Sequence, residues 1–249
     1  MDEYTRDVLQ SVHSDLLLLL ADFVRVMEDN DLPYSLMCGT LLGAVRHKGF
    51  IPWDDDIDLV LPRESYERFA ALYPAQCGED FYLDLTDTWV PRIRKQGGTH
   101  LAFLDLFILD PLPSKKAAQA WKLFRLKTLQ GMLKEHTDYA RFSFLRRILL
   151  RATALLGKPF SKAQKLRLYA RICRTGSRTD AEFHMANSAF HLLSMPFSKS
   201  DFSNPALSAF ENLTVRIPQD AHSILVKLYG SDYMTPPPES ERTPLHLNL

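Results

Sequence analysis

Apolar residues recur at intervals of three and four over the first ~25 positions, the spacing that places side chains on one face of a helix. The residues on this face are Val8, Leu9, Val12, Leu16, Leu19, Phe23, Val26 and Met27. The segment Asn30–Pro33 ends the predicted helix. A short strand over residues 34–38 and a second helix over residues 40–46 are predicted to follow.

Shorter apolar runs come next and predict strands. We place these strands at residues 56–61, 81–85, 90–94 and 101–109. A helix with Tyr66, Phe69, Ala70 and Tyr73 on its buried face is predicted after the first of them. The run 101–109 is apolar on both faces, which is typical of a central strand. Its single charge, Asp105, is costly to bury unless it is paired, caps a neighbouring backbone or binds a metal ion.

From residue 114 the chain becomes rich in Lys, Arg, Leu and Ala and has no strand signals. Helices are predicted over residues 114–136, 142–157 and 161–174, and the last begins with a capping box of Ser161 and Gln164. Mixed structure then returns. A strand is predicted at residues 213–217, followed by a helix at residues 219–229 that Gly230 closes.

The charge distribution is uneven, although the formal net charge of the 249 residues is zero. Residues 115–178 contain 17 Lys or Arg and two acids, whereas the remainder contains 13 basic and 28 acidic residues. The hydrophobic share of 46% and the charged share of 24% are typical of a soluble globular protein. A basic segment can bind nucleic acid, bind an anionic membrane or pack on its own domain. The pattern of its apolar residues distinguishes between these roles.

One predicted basic helix has an apolar stripe with Arg147 and Arg151 beside it. The stripe consists of Leu145, Ile148, Leu149, Ala152, Leu155 and Leu156. Most such stripes pack on their own domain, which we take as the first interpretation, and docking on anionic lipid or glycolipid is its main alternative. We expect no nucleic-acid partner.

The cysteines and the start of the chain indicate the compartment. Three scattered cysteines without metal-ligand spacing favour a reducing environment over a disulfide framework. The chain opens with Met1-Asp2-Glu3, unlike a signal peptide, and the run Leu16–Leu20 is far shorter than the ~18 apolar residues of a spanning helix. We expect a cytoplasmic protein, with peripheral contact at the inner face of the membrane left open.

The densest candidate chemistry lies in the segment 39–58. Asp56 and Asp58 are two apart on a predicted strand, so both carboxylates point to the same face. Two ionised carboxylates held that close repel each other unless a cation lies between them, and their oxygens suit Mg²⁺ or Mn²⁺. An acidic run is more often a solvated turn, but this one leads into an apolar strand. Asp54 and Asp55 are expected to shape the turn or to bind through water.

Residues upstream of these acids are suited to phosphate. Gly39 and Thr40 lie between a predicted strand and a helix, where backbone N–H groups and a hydroxyl can meet a phosphate, although the pair alone is only a turn signal. Arg46 and Lys48 could merely favour a helix C-terminus, but their position suits the neutralisation of a diphosphate. Arg94 is a further candidate for the same role.

This combination resembles the LicD family of phosphocholine and polyol-phosphate transferases, which includes fukutin-like enzymes and has the nucleotidyltransferase fold. The resemblance runs from Gly39 to Asp58 and continues through Pro62–Phe69. The tail also resembles the family's C-terminal signature, in Tyr229–Met234, Pro236–Pro238, Arg242 and His246. Two positions depart from the family pattern: Cys38 replaces a common glycine, and Ile108 replaces a proline in the stretch 105–110.

The resemblance implies an α+β fold, with a nucleotidyltransferase-like core whose mixed β-sheet is flanked by helices, plus a basic helical region. It makes Asp105 the third metal carboxylate beside Asp56 and Asp58, and all three are then catalytic residues. The expected regions are a catalytic core at 1–113, a basic helical region at 114–200 and a C-terminal segment at 201–249 that packs back on the core.

The activity implied by the resemblance is metal-dependent transfer of phosphocholine from a CDP-activated donor such as CDP-choline to a sugar hydroxyl of a glycan or glycolipid. Transfer of ribitol phosphate, glycerol phosphate or a nucleotidyl group on the same fold is the first alternative. A non-catalytic binding subunit for glycan synthesis is the second. The sequence has no His-Glu-x-x-His motif, so a zinc hydrolase has no support, and it has neither a Gly-x-Ser-x-Gly elbow nor a Walker loop.

Overall fold

A computed structural model describes residues 3–85, 89–97, 101–134, 144–176, 182–188 and 191–247. The chain forms two compact units. The first consists of residues 1–109 and 199–249, and the second of residues 110–198. Among the described residues, no helix combines the length and the hydrophobicity that crossing a membrane requires.

In the first unit, the strands β1 to β5 lie side by side in the order β1-β2-β5-β4-β3. Their bounds are β1 Ser35–Leu36, β2 Ile57–Pro62, β3 Phe81–Asp84, β4 Arg92–Lys95 and β5 Phe103–Pro111. Strands β2 and β5 are parallel, and the other neighbouring pairs in this order are antiparallel. The sheet is therefore mixed, with its longest strand, β5, near the middle, as expected for a run that is apolar on both faces.

Three helices precede or interrupt these strands: α1 Glu3–Asp29, α2 Cys38–Arg46 and α3 Arg63–Gln76. The apolar face that the sequence predicts for α1 is buried from Leu9 to Met27. Phe23 of α1 contacts Phe69 of α3, and their ring centroids are 5.2 Å apart. The helix α2 is short and almost entirely buried, so its N-terminus is fixed relative to the strands on either side.

The C-terminal part of the first unit contains α7 Ser200–Ser203, the hairpin of β8 Ala206–Phe210 and β9 Leu213–Ile217, and α8 Ala221–Tyr229. Gly230 follows α8 with a φ of 92°, a left-handed conformation that glycine adopts without strain. The tail beyond it returns to the turn before β2. There the buried Asp55 accepts hydrogen bonds from the tail backbone.

The second unit is mainly helical, with α4 Lys116–Leu133, α5 Phe144–Gly157 and α6 Lys162–Cys173. It also contains the antiparallel pair of β6 Glu182–Met185 and β7 Phe197–Ser198. The predicted capping box of α6 is present: the Ser161 hydroxyl accepts from the Gln164 backbone, and the Gln164 side chain accepts from the Ser161 backbone. Lys122 is buried and donates to the carbonyl oxygens of Pro111, Cys173 and Thr175.

The α+β class and the mixed sheet confirm the sequence-based expectation. The predicted strand 213–217 has the observed bounds, whereas 90–94 and 101–109 lie about two residues too early. Strands β6 to β8 were not predicted, because their short segments lack a clear alternation of apolar and polar residues. Residues 135–136 and 142–143 of the predicted helices lie outside the described residues.

The prediction that the stripe of α5 packs on its own domain is wrong for the side chains that the structure describes. Leu149 and Leu156 are 64% and 61% exposed, and Ile148 and Leu155 are also exposed. The side chain of Leu145 lies outside the described part of the chain. The stripe points outward because the opposite side of α5, at Thr153 and Gly157, is the side that is buried.

Candidate metal and donor site

Three carboxylates meet at the start of the two parallel strands. Asp58 on β2 is the direct partner of Asp105 on β5, and Asp56 lies just before β2. Asp56, Asp58 and Asp105 each offer an oxygen, and these atoms all lie within 4.8 Å of one another. The structure therefore brings together the three residues that the sequence nominates as metal ligands, because Asp56 and Asp58 are two positions apart and Asp58 pairs with Asp105 on the neighbouring strand.

The start of α2 holds Asp58 in place. The Thr40 hydroxyl oxygen accepts a hydrogen bond of 2.8 Å from the backbone N–H of Asp58. The backbone N–H of Met37 donates to the Asp58 carbonyl oxygen at 3.0 Å. Thr40 is buried. Its observed contact thus positions β2, which carries Asp58, whereas its predicted contact with a phosphate stays a prediction.

The turn into α2 has little room. Cys38 has a φ of 49°, a left-handed conformation that favours glycine, which explains why a glycine suits this position in similar sequences. A Cβ on Gly39 would lie 2.6 Å from Oδ2 of Asp54, so the glycine allows this carboxylate to approach the backbone. The turn therefore fits closely against the acidic segment.

Burial and mutual repulsion raise the pKa values of Asp54, Asp56 and Asp58. Burial raises the pKa of Asp58 well above its usual range, and the charges of Asp56 and Asp105 raise it further. Burial is also the largest cause that raises the pKa of Asp56 to about 6 and that of Asp54 to about 7. Such a cluster is unfavourable as three bare anions, and a divalent cation bound by its oxygens would relieve the repulsion.

Arg92 is a site residue that the sequence reasoning missed. Its Nε donates to Oδ1 of Asp105 at 2.7 Å, and its guanidinium lies 4.1 Å from the centroid of the Phe103 ring. Arg94, the predicted phosphate ligand on the same strand, instead donates to Asp84 at 3.1 Å. Both arginines alternate with the buried Ile93, and the pairing of Arg92 with Asp105 depends on the register of β4 against β5.

The C-terminal tail is bound to the acidic segment through Asp55. This buried carboxylate accepts hydrogen bonds from the backbone N–H groups of Leu245, His246 and Leu247 at 3.3, 2.7 and 2.7 Å. Burial alone would raise the pKa of Asp55, but the hydrogen bonds from His246 and from the Leu247 backbone lower it overall. The sequence analysis assigned Asp55 to the turn and did not anticipate the tail as its partner.

His246 lies between Asp55 and the metal-ligand candidates. Its Nδ1 is 3.1 Å from Oδ1 of Asp55 and 3.4 Å from Oδ2 of Asp56. The hydrogen bond with Asp55 is the main cause that raises the pKa of His246. The tail thus places an imidazole at the edge of the carboxylate cluster.

A cleft of ≈ 660 Å³ opens beside the cluster. Gly39, Arg46, Asp56 and Asp58 line it, together with residues of the tail from Tyr229 to Leu245. Its volume is in the range of small-molecule sites. The cleft is formed within the first unit, between the acidic segment and the tail.

The guanidinium group of Arg46 lines this cleft, and that of Arg242 lies beside a residue that lines it. Arg46 donates to the carbonyl oxygen of Tyr233 at 3.0 Å, and burial lowers its pKa. Arg242 lies with its guanidinium 5.2 Å from the ring centroid of Trp53, a residue that lines the cleft. The sequence analysis nominated Arg46 but not Arg242. Lys48, also nominated, is exposed and does not line the cleft, and its φ is 60°.

Comparison with known proteins agrees with this geometry. Residues 31–103 match the model of the LicD/FKTN/FKRP nucleotidyltransferase domain. The chain is 29% identical over 257 aligned positions, which cover 93% of both chains, to the lipopolysaccharide cholinephosphotransferase LicD of Haemophilus influenzae. Uncharacterized proteins of Rickettsia typhi and Rickettsia prowazekii are 41% and 39% identical over 59 residues, or 24% of this chain and 19% and 22% of theirs.

Proposed function

Because this chain belongs to the LicD family, we propose that it transfers phosphocholine from CDP-choline to a sugar hydroxyl of a lipopolysaccharide or a similar cell-surface glycan. The observation that carries the proposal is the convergence of Asp56, Asp58 and Asp105 within 4.8 Å at the edge of a cleft. A cleft with an oxygen-rich cation site and flanking guanidinium groups suits a nucleoside diphosphate donor.

The metal would be Mg²⁺ or Mn²⁺, held by Asp56, Asp58 and Asp105. The donor set fits such an ion, because it consists of carboxylate oxygens that are largely buried and repel one another without a cation. When bound, the ion supplies charge neutralisation at the diphosphate and at the departing phosphate. Arg92 would fix the orientation of the Asp105 carboxylate through its hydrogen bond to Oδ1.

The reaction is a displacement at the phosphorus that carries choline. The acceptor hydroxyl oxygen forms a bond to this phosphorus, the bond to the bridging diphosphate oxygen breaks, and CMP leaves with the electron pair. Asp105 would help to remove the hydroxyl proton. Arg46 and Arg242 would bind the nucleotide phosphates at the cleft. Positioning and charge neutralisation would supply most of the rate, without a covalent enzyme intermediate.

Transfer of ribitol phosphate, glycerol phosphate or a nucleotidyl group uses the same metal and phosphate chemistry, so the carboxylates do not separate these donors. A non-catalytic binding subunit would not need three converging carboxylates, which cost folding free energy in the metal-free state. We therefore place catalysis first. A cytoplasmic location is part of the proposal, and Cys38, Cys77 and Cys173, none of which is in a disulfide, are consistent with a reducing compartment.

A CMP-release assay with CDP-choline, CDP-ribitol and CDP-glycerol tests the proposal. With Mg²⁺ and a glycan acceptor, we expect CDP-choline to be used at least about 10-fold more efficiently than the other two donors. This ratio corresponds to a difference of about 1.4 kcal/mol in activation free energy between the donors. Preference for CDP-ribitol or CDP-glycerol would instead identify the chain as a polyol-phosphate transferase. A lack of CMP release from all three would support the binding-subunit alternative.

A further inference from the structure

The second unit presents an apolar surface to solvent on α5. The side chains of Leu149 and Leu156 are largely exposed, and so are those of Phe144, Ile148 and Leu155. Isolated exposed leucines are common on soluble proteins, but five large apolar side chains on one 14-residue helix are not. A solvated helix usually places such residues inward, so this surface is suited to contact with something else.

The packing of α5 on α4 explains why the apolar residues point outward. A Cβ on Gly131 of α4 would lie 2.5 Å from the Thr153 hydroxyl of α5, and a Cβ on Gly157 would lie 2.9 Å from that of Met132. The two helices therefore approach closely through small residues. The side of α5 that carries the small residues makes this contact. The leucine-rich side of α5 is not covered by α4.

A second apolar area lies between α4 and α6. A groove of ≈ 260 Å³ is lined by Phe124, Leu129, Met132, Phe160, Leu168 and Ile172 among others. Arg125 and Lys165 line the same groove. Phe124 stacks on Trp121, with 5.7 Å between their ring centroids, and both side chains are 59% exposed. Aromatic side chains beside cationic ones are typical of protein surfaces that contact the bilayer interface.

The three helices that carry these apolar areas have only positively charged side chains among their Asp, Glu, Lys and Arg positions. The sequences of α4, α5 and α6 contain 11 Lys or Arg and no Asp or Glu. Residues 110–198 as a whole contain 17 basic and five acidic residues, a formal charge of +12. Arg147 and Arg151 of α5 and Arg167 and Arg171 of α6 are exposed, as is Lys158 directly after α5. The complementary partner is therefore an anionic surface with an apolar interior.

We propose that the exposed apolar and basic surface of α4, α5 and α6, called here the helical surface, docks on an anionic lipid bilayer. The outward leucines of α5 enter the boundary between headgroups and acyl chains, while the Lys and Arg side chains contact lipid phosphates. A second copy of the chain is a poorer partner, because it would bring two surfaces with the same charge together. The proposal does not depend on the transfer reaction proposed above.

Co-sedimentation with vesicles, without donor or acceptor, tests this docking. The full chain should bind vesicles of phosphatidylglycerol and phosphatidylcholine at least about 10-fold more tightly than vesicles of phosphatidylcholine alone. Binding should weaken as salt rises, because ions screen exposed charges beyond about 8 Å at physiological ionic strength. Absence of binding at low salt, or equal binding to both vesicles, would overturn the proposal.

Two variants and a matched control make the test specific. Leu149→Ser with Leu156→Ser should weaken binding to anionic vesicles at least about 10-fold, because each change removes apolar area from the insertion side. Lys158→Gln with Arg167→Gln and Arg171→Gln should have a similar effect at low salt. Leu18→Ser with Leu207→Ser removes two exposed leucines from the first unit and should leave binding unchanged.

Measurement of the oligomeric state distinguishes docking on lipid from association between copies of the chain. Light scattering of the wild-type protein should give a mass that the change at Leu149 and Leu156 does not alter. A dimer that dissociates in the Leu149→Ser and Leu156→Ser variant would identify the helical surface as an interface between copies and would contradict docking on lipid. Equal vesicle binding by that variant and the wild type would contradict it as well.

Discussion

Asp58→Asn is expected to lower turnover with CDP-choline and Mg²⁺ by at least about 10²-fold, the scale of losing one preorganised electrostatic group in an active site. The change keeps the shape of the side chain but removes a ligand charge from the cluster with Asp56 and Asp105. CMP release at saturating donor measures it. Asp29→Asn, the same change at an exposed helix end, should keep wild-type turnover.

The same variant should separate metal binding from folding. The folded-state pKa values of Asp54 and Asp56, about 7 and about 6, lie above the ordinary value of 3.8. At these two carboxylates the folded state therefore binds more protons than the unfolded chain, so their contribution to the stability of the metal-free protein is lost as pH rises from about 4 to about 7. Asp58→Asn removes one charge from this cluster, so its metal-free melting temperature at pH 7.5 should be higher than that of the wild type.

Mg²⁺ should raise the melting temperature of the wild type and have a much smaller effect on Asp58→Asn, because an ion that binds only the folded state stabilises it more when it binds more tightly. Thermal scans with Mg²⁺ and with EDTA give both values. Wild-type turnover together with an unchanged Mg²⁺-induced shift in the variant would remove Asp58 from the proposed metal site.

Asp55→Ala is expected to cost about 3 kcal/mol of the free energy of unfolding and to lower turnover at least about 10-fold. The variant removes a buried carboxylate that accepts from three backbone N–H groups of the tail, and such charged hydrogen bonds are strong. Because the tail lines the cleft, its release should raise KM for the donor as well. Urea unfolding and steady-state kinetics measure the two effects.

Asp220→Ala is the matched control for Asp55→Ala. Asp220 also accepts from a backbone N–H, that of Ser223 at the start of α8, but it is exposed. Its replacement should cost less stability than Asp55→Ala and should leave KM unchanged. Equal losses for the two variants, or an unchanged KM in Asp55→Ala, would contradict a specific role for the tail at the cleft.

Local patterns predicted one part of the carboxylate cluster, the pair of Asp56 and Asp58, whereas the resemblance to the LicD family assigned Asp105 to it. Asp56 and Asp58 share a face through the two-residue period of a strand, and the apolar run around Asp105 identified its strand as central. The long amphipathic face of α1 and the capping box of α6 were equally local signals. In each case a few neighbouring residues determine the local structure.

Contacts between distant segments could not be predicted in this way. The bond between Asp55 and the tail joins residues about 190 positions apart. The choice of Arg92 over Arg94 as the partner of Asp105 depends on strand register, which a one-residue shift would change. The outward orientation of the α5 leucines follows from the close approach at Gly131 and Gly157, which the apolar pattern alone does not reveal.

Mass spectrometry of the acceptor glycan after incubation with CDP-choline tests the central claim most directly. In Mg²⁺ we predict an acceptor that has gained choline phosphate and an equal amount of free CMP, with neither product formed in EDTA. The reason is that attack occurs at the phosphorus bearing choline, with the metal at Asp56, Asp58 and Asp105. A cytidine-bearing acceptor with free choline phosphate, or full transfer in EDTA, would contradict the account.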